Sequence, residues 1–150
     1  MKKFRFGLES VLDYRRQVLD GRQGEYARAL DQVHQQEAKV AQAQARYREL
    51  NRKFREEAAA GITILDAMTY EEGLRLLERE IARETQRLEA CRRTAEEKRQ
   101  QMIEAHKDKT VLERLREKKL EDYSKEAQKS EERFIDELVC AGHGEAGQGA

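Results

Sequence analysis

The stretch "EEAAAGITILDAMTYEE", residues 56–72, decides the fold. Between Ile62 and Tyr70 Asp66 alone is charged, in a chain where 40% of residues are charged. The stretch reads as a corner between two helices. "AAAG" ends the first helix, and Gly61 is free to take the left-handed backbone that a helix stop favours. Thr63 is a candidate N-cap for the second, with Ile62 before it as a hydrophobic staple and Asp66 three residues later. Thr69 with Glu72 also fits a capping box. Leu65 and Met68 already follow helical spacing, which favours Thr63. A connection of about three residues forces the helices antiparallel, and facing residues should have numbers adding to about 124. Phe54 would then meet Tyr70, Tyr47 would meet Leu77, Val33 would lie near Cys91, and Leu12 would reach Leu112.

The arms on either side carry the expected periodicity. In the first, Leu12, Leu19, Tyr26, Val33, Val40, Tyr47 and Phe54 recur every seven positions. Such a row marks a helix with a coiled-coil seam. The companion row, Arg15, Arg22, Ala29, Gln36, Ala43 and Leu50, is poor, so the seam is narrow and partly polar. Gly21 and Gly24 each cost roughly 1 kcal/mol relative to Ala in a helix, which softens that end. The second arm repeats the device with Leu74, Ile81, Leu88, Ala95 and Met102, beside Tyr70, Leu77, Cys91, Ala105 and Leu112. After Leu112 the phase slips to Leu115, Leu120, Tyr123, Ala127, Phe134 and Leu138, which locally changes the winding.

Composition agrees. Ala, Glu, Lys, Leu and Arg make up 85 of the 150 residues, with no Pro and no Trp, as in coiled coils and long helices. Leu, Ile, Val and Phe are only 29 of 150, too few for a thick core but enough for a seam between two helices. The sequence therefore predicts an all-α chain of two long helices in an antiparallel coiled-coil hairpin. Helix 1 spans about 6–60, the corner 61–63 and helix 2 about 64–139, as a single domain over 1–139. Gly142 can stop the second helix, leaving 140–150 as a flexible, disordered Gly-rich tail. The second helix is the longer, at about 110 Å against about 80 Å at 1.5 Å per residue. It overhangs, and residues from about Lys119 to Val139 find no partner in the same chain.

The same features exclude several function classes. Net charge is zero, whereas nucleic-acid binding usually needs a basic surplus or stripe. Residues 1–60 carry +4 and residues 61–140 carry −3, so the arms attract weakly. No run approaches the ~20 apolar residues of a membrane span, and "MKKFRFGLES" lacks the apolar run of a signal peptide. Cys91 and Cys140 form no metal-ligand pattern, and a reduced cytosolic chain is the simple reading. His34, His106 and His143 are dispersed, and Cys140 with His143 is a lone C-x-x-H. Ser10, Ser124 and Ser130 lack a nucleophile elbow, and no Gly-rich phosphate loop is present. The reading is a protein that is not an enzyme and needs no cofactor or metal.

Candidate sites are surfaces. The overhang keeps Leu120, Tyr123, Ala127, Phe134 and Leu138 in one row, which points to a partner. Asp136 and Glu137 would sit in the last turn, where the helix dipole disfavours acids. The N-terminal "FRFGLESVLDYRR" is too rich in Phe4, Phe6, Leu8, Val11, Leu12 and Tyr14 for one helix face. It reads as a plug over the side of the second helix, or a contact shared with another protein. At the corner, Ile62, Ile64, Leu65, Met68 and Tyr70 exceed what two helices can bury.

"FRFGLESVLDYR", the "GIT…Y" corner and the closing "ERFIDEL" resemble the FliJ family of bacterial flagellar export proteins, over about residues 4–139. The resemblance implies an antiparallel coiled coil like the stalk subunit of rotary ATPases, acting in the flagellar type III export apparatus and so in motility. It implies that the paired termini enter the hexameric export ATPase, FliI, and promote its assembly and activity. Here that tip comprises Phe4, Phe6, Leu8, Leu120, Tyr123, Phe134, Asp136, Glu137 and Leu138. A contact with the export gate, FlhA, would fall on Met68, Tyr70, Leu74 and Leu77, and export chaperones would exchange on the protein. Gly73 stands where relatives carry a bulky apolar residue, which would reshape the gate surface. The resemblance further implies a monomer when free, cytoplasmic and peripheral at the inner membrane through the apparatus, with no membrane insertion. The alternative is a generic coiled-coil scaffold or dimeriser whose seam closes between chains.

Overall fold

A computed structural model of the chain describes the backbone of residues 2–148 and the side chains of residues 2–143. It contains two helices, α1 (Glu9–Ala60) and α2 (Ile64–Gln148), and no strand among the described residues. The corner forms for the reasons the sequence contains. Gly61 takes φ 99°, the left-handed region in which a side chain would be strained. The backbone N–H of Asp66 donates to Thr63 Oγ1 at 3.1 Å, which makes Thr63 the N-cap. Thr69 does not compete, because its hydroxyl donates back to the Leu65 carbonyl within the helix at 3.0 Å.

Contacts divide the chain into two compact units, each holding a stretch of both helices: Asp20–Glu104, and Met1–Leu19 with Ala105–Ala150. In the first unit the core is a thin row of Ala29, Val33, Val40, Leu88 and Ala95, with Leu30 and Cys91 packed against it. Val33 and Cys91 thus share one cluster, as the corner geometry requires. The Phe54 and Tyr70 rings lie 5.3 Å apart, and Tyr47 reaches Glu78, the neighbour of its expected partner Leu77. Lys98 pairs with Glu25, Arg46 with Glu80, and Arg22 with Gln101. In the second unit Leu12 and Ala105 are buried, and Arg15 pairs with Asp108 and Arg116 with Glu9. All these pairs have residue numbers adding to about 124, the value an antiparallel hairpin with this corner demands. The seam closes within one chain.

Small side chains make the seam possible with so little Leu and Ile. Ala29, Ala43, Ala95 and Ala105 are buried at seam positions. Where the seam is polar, it is satisfied. Gln36 is the buried polar residue. Its amide donates to the Glu84 backbone carbonyl at 3.0 Å and also to the Glu84 carboxylate. No buried side-chain N or O atom among the described residues lacks a partner. A polar pair at a seam position fixes register, because a slip strands the buried Gln36 amide away from its acceptors.

Two boundaries differ from the sequence reading. Helix α1 starts at Glu9 rather than near residue 6, after a turn closed by Glu9 N–H on the Phe6 carbonyl. Residues 2–6 instead run as non-helical chain beside α2. Helix α2 runs to Gln148 rather than stopping near 139. Gly142 keeps ordinary helical backbone, since among the described residues Gly61 alone has positive φ. With no proline to break it and Ala141, Glu145 and Ala146 as good helix formers, the helix tolerates its glycines at roughly 1 kcal/mol each. Asp136 and Glu137 are therefore not in a last turn. The tail expected over 140–150 is helical backbone as far as Gln148, and residues 149 and 150 lie outside the described residues.

Replacing Gln36 by Ala should cost about 1–3 kcal/mol by removing the two hydrogen bonds it donates across the seam to Glu84, whose carboxylate is left with Arg87 of its own helix. The double variant Gln36→Leu/Glu84→Leu should recover that loss, since an apolar pair suits a seam at least as well. Urea unfolding followed by circular dichroism measures both, and equal losses in the two variants would refute the pairing.

Candidate functional site

Three surfaces emerge, one in the Asp20–Glu104 unit and two in the unit that holds both ends of the chain.

The first is at the corner. Leu65 is 73% exposed and Met68 60%, and Ile64 and Leu76 are also open to solvent. Leu65, Met68 and Leu76 fall three and eight residues apart, which puts them on one face of α2. Together with Thr69, Glu71, Glu72, Arg75 and Arg79 they line a shallow depression. Of the residues assigned to a gate contact, Met68 alone is on this face. Tyr70, Leu74 and Leu77 are half-buried and belong to the seam. Gly73 also faces inward: a Cβ there would come within 3.1 Å of Leu50 Cδ2. Its lack of a side chain therefore shapes the seam beside Tyr70, not the outer face. The Glu57 carboxylate accepts from the Tyr70 hydroxyl and, with burial, raises its pKa above the ordinary tyrosine value. Leu65 and Met68 do not cover the end of the seam as their apolar character suggests. Leu76 is the residue the sequence reading missed, although its spacing from Leu65 and Met68 announces it.

The second surface is built by the N-terminal segment. Phe4 sits 5.6 Å from the Tyr123 ring, and the Tyr123 hydroxyl donates to the Lys2 carbonyl. Arg116 also lies over the Phe4 ring, 5.6 Å from its centroid, held by Glu9 at 3.0 Å. The reading of this segment as a plug is therefore the one the structure adopts. Phe4, Phe6 and Tyr123 are half-buried by it, while Leu8 and Leu120 remain exposed. Lys2, Lys3, Arg5 and Lys119 rim the resulting groove, and Phe6, Leu8, Leu115 and Tyr123 floor it. The cover reaches Tyr123, so the unpartnered length of α2 begins about one turn beyond it rather than at Lys119.

The third surface is that unpartnered length. Every described residue from Gln128 onward is exposed. Phe134 is 61% and Leu138 57% exposed, and Ile135 and Val139 beside them are half open. Asp136 and Glu137 lie between, also exposed. Ile135 and Val139 widen the stripe beyond the row read from sequence.

Among the described residues no group of three or more His, Cys, Asp or Glu side chains could hold a metal, and no helix is long and apolar enough to cross a membrane. What the molecule offers is helix faces.

A family model described as "Flagellar FliJ protein" matches residues 4–147. The chain belongs to the FliJ family. As a FliJ-family protein it is a component of the flagellar, type III export system. The match begins at Phe4, the residue that clasps Tyr123, and takes in almost all of α2. The fold also resembles the solved structure of CT670 from Chlamydia trachomatis, described as a candidate YscO homolog. The two share 17% identity with a TM-score of 0.51, over 97% of this chain and 99% of that one, so the likeness is one of fold. No curated protein matches the chain.

Tyr123→Ala should release the N-terminal clasp while leaving the helices folded, because it removes one ring contact and one hydrogen bond, each worth about 1 kcal/mol. Limited trypsin digestion reads it out: cleavage after Arg5 should speed several-fold in the variant. Unchanged cleavage would mean that the segment is held by something other than Tyr123.

Proposed function

We propose that this FliJ-family chain is a stalk-like activator and assembly factor for the hexameric export ATPase, FliI, and that it acts without chemistry of its own. The observation that carries the reading is the apolar stripe Phe134, Ile135, Leu138 and Val139 on a length of α2 with no partner. A single helix outrunning its own hairpin is narrow enough to enter a ring. Apolar residues on it gain most when ring subunits remove them from water, at roughly 25 cal/mol per Å². Phe4, Phe6, Leu8, Leu120 and Tyr123 support the base of that helix rather than forming its tip. Asp136 and Glu137 add charge that selects basic ring residues. The nucleotide belongs to the partner.

The corner face carries a second contact in this proposal, with the cytoplasmic part of the export gate, FlhA. Met68 is its centre, with Leu65 and Leu76 on either side. Tyr70, Leu74 and Leu77 hold the helix in place beneath. Export chaperones compete for the same protein. The protein then sits at the cytoplasmic face of the inner membrane through its partners, without insertion.

Phe134→Ala/Leu138→Ala should abolish stimulation of the partner ATPase and its assembly into rings, with helix content unchanged. Met68→Asp should leave stimulation intact and weaken capture of the gate domain about tenfold or more. Stimulation that survives in the double variant, or gate capture that survives in Met68→Asp, would overturn the corresponding contact.

A further inference from the structure

The groove beside the N-terminal clasp continues along the two helices as an apolar strip open to solvent. At its wide end it holds about 600 Å³ between the segment Lys2 to Leu8 and the α2 residues Leu115, Lys119 and Tyr123. Val111, Leu115 and Lys119 are successive i, i+4 positions, each about 40° round α2 from the last, so the strip leaves the groove along one side of that helix. Val11 lies on the same side. It stands about 40° from Arg15 on α1, and Leu115 stands about 20° from Asp108 on α2. The Arg15–Asp108 pair at 3.4 Å therefore puts Val11 and Leu115 on one side of the two helices, and it closes the strip beyond them. Leu8, Val11 and Val111 are exposed, and Leu115 is half-buried. Neither the heptad rows nor the clasp uses Val11 or Val111.

Charge surrounds this strip unevenly. Lys2, Lys3, Arg5 and Lys119 rim the groove. Arg114 and Lys118 follow the outer edge of α2, about 60° and 20° round from Val111. Among the described residues none of these six cations takes part in an ion pair, and all six are exposed. Against them stand Asp108, which Arg15 neutralises, and Asp122. In a chain of zero net charge, that is a local basic surplus set around apolar side chains.

We propose that this strip is a docking groove for an acidic amphipathic helix of a partner protein. The helix lies along α1 and α2 with its apolar stripe on Leu8, Val11, Val111 and Leu115. Its carboxylates meet Lys118, Lys119 and the cations of the N-terminal segment. Shape selects a helix, because two helices side by side leave a trough into which a third packs at about 8–10 Å. From Val111 to Tyr123 the strip is about 18 Å long, the length of about 12 helical residues. Charge selects an acidic one. A membrane surface fits less well, because the aromatic rings are not held out: Phe4 packs against Tyr123, and Phe6 floors the groove. The groove needs nothing from the stripe at Phe134 and Leu138, which lies further along α2. One partner can therefore hold the base of the helix while its free end engages another.

A pair of designed peptides tests it. The probe is a fluorescein-labelled helical peptide of about 16 residues, with leucines at helical spacing on one face and glutamates on either side of them. Its counterpart carries lysines in place of the glutamates. Fluorescence anisotropy against the full chain should show saturable binding of the glutamate peptide, and binding of the lysine peptide weaker by about tenfold or more. Lys118→Glu/Lys119→Glu should weaken the glutamate peptide about tenfold or more and strengthen the lysine peptide. Val111→Gln, which leaves the charge unchanged, should weaken the glutamate peptide several-fold. All three residues are exposed, so helix content by circular dichroism should stay the same. Lys129→Glu/Arg133→Glu makes the same change in net charge away from the strip, and should leave the affinity within about twofold. Phe134→Ala/Leu138→Ala should bind the peptide as the wild type does, whatever becomes of ATPase stimulation. No binding, equal binding of the two peptides, or binding untouched by Val111→Gln would each overturn the groove. So would a loss of binding in either variant of the free end, or sedimentation of the chain with phosphatidylglycerol vesicles in place of peptide binding.

Discussion

The three-residue corner is the constraint on which the rest depends. Once Gly61 turns left-handed and Thr63 caps α2, each residue of one helix has a set neighbour on the other. A seam with so few large apolar residues could not choose its own register by burial alone. Shifting it by one heptad would lose little, because Ala29, Ala43, Ala95 and Ala105 fit almost any small-residue row. The corner removes that freedom at one end. Gln36 with Glu84 removes it in the middle, because another alignment leaves the buried Gln36 amide without its two acceptors. The exposed ion pairs that cross the seam contribute little each, yet they point to the same alignment.

Charge is placed economically in such a molecule. Many pairs lie within one helix, such as Arg52 with Glu49 and Glu56, and serve that helix alone. Others cross the seam and tie the helices together, such as Lys98 with Glu25 and Arg116 with Glu9. Past Tyr123 no second helix is present to pair across. There Lys125 pairs with Glu121 in its own helix, while Glu126, Arg133 and Glu137 make no ion pair among the described residues. The change in bonding marks where structure ends and surface begins.

Much of this is legible in the chain. The seven-residue row from Leu12 to Phe54 states the seam, and "AAAGIT" states the corner. Both rest on strong local rules, a repeated period and a glycine followed by a cap. The density of Phe4, Phe6 and Leu8 foretells that they must cover something. The outward face near the corner is harder to see. Leu65, Met68, Leu74, Leu76 and Leu77 are all apolar within thirteen residues, and only the register tells which of them the seam takes. The heptad rows already put Tyr70, Leu74 and Leu77 in the seam, and the contacts of Tyr70 with Phe54 and of Gly73 with Leu50 show that this is the side α1 takes, which leaves Met68 to face outward. The end of α2 is harder still. A glycine weakens a helix by an amount that its neighbours can offset, whereas a proline would have stopped it outright.

A helix with neighbours on one side only along part of its length has a gradient of permanence. Amide protons in the seam near Val33 and Leu88 can exchange only when the hairpin opens. Those between Gln128 and His143 are guarded by nothing except their own helical bonds. Any partner that grips this stretch must first hold it still, and that ordering cost is subtracted from the affinity. A grip so taxed lets go readily. In the ring contact proposed above, such a loosely kept end would favour repeated engagement and release.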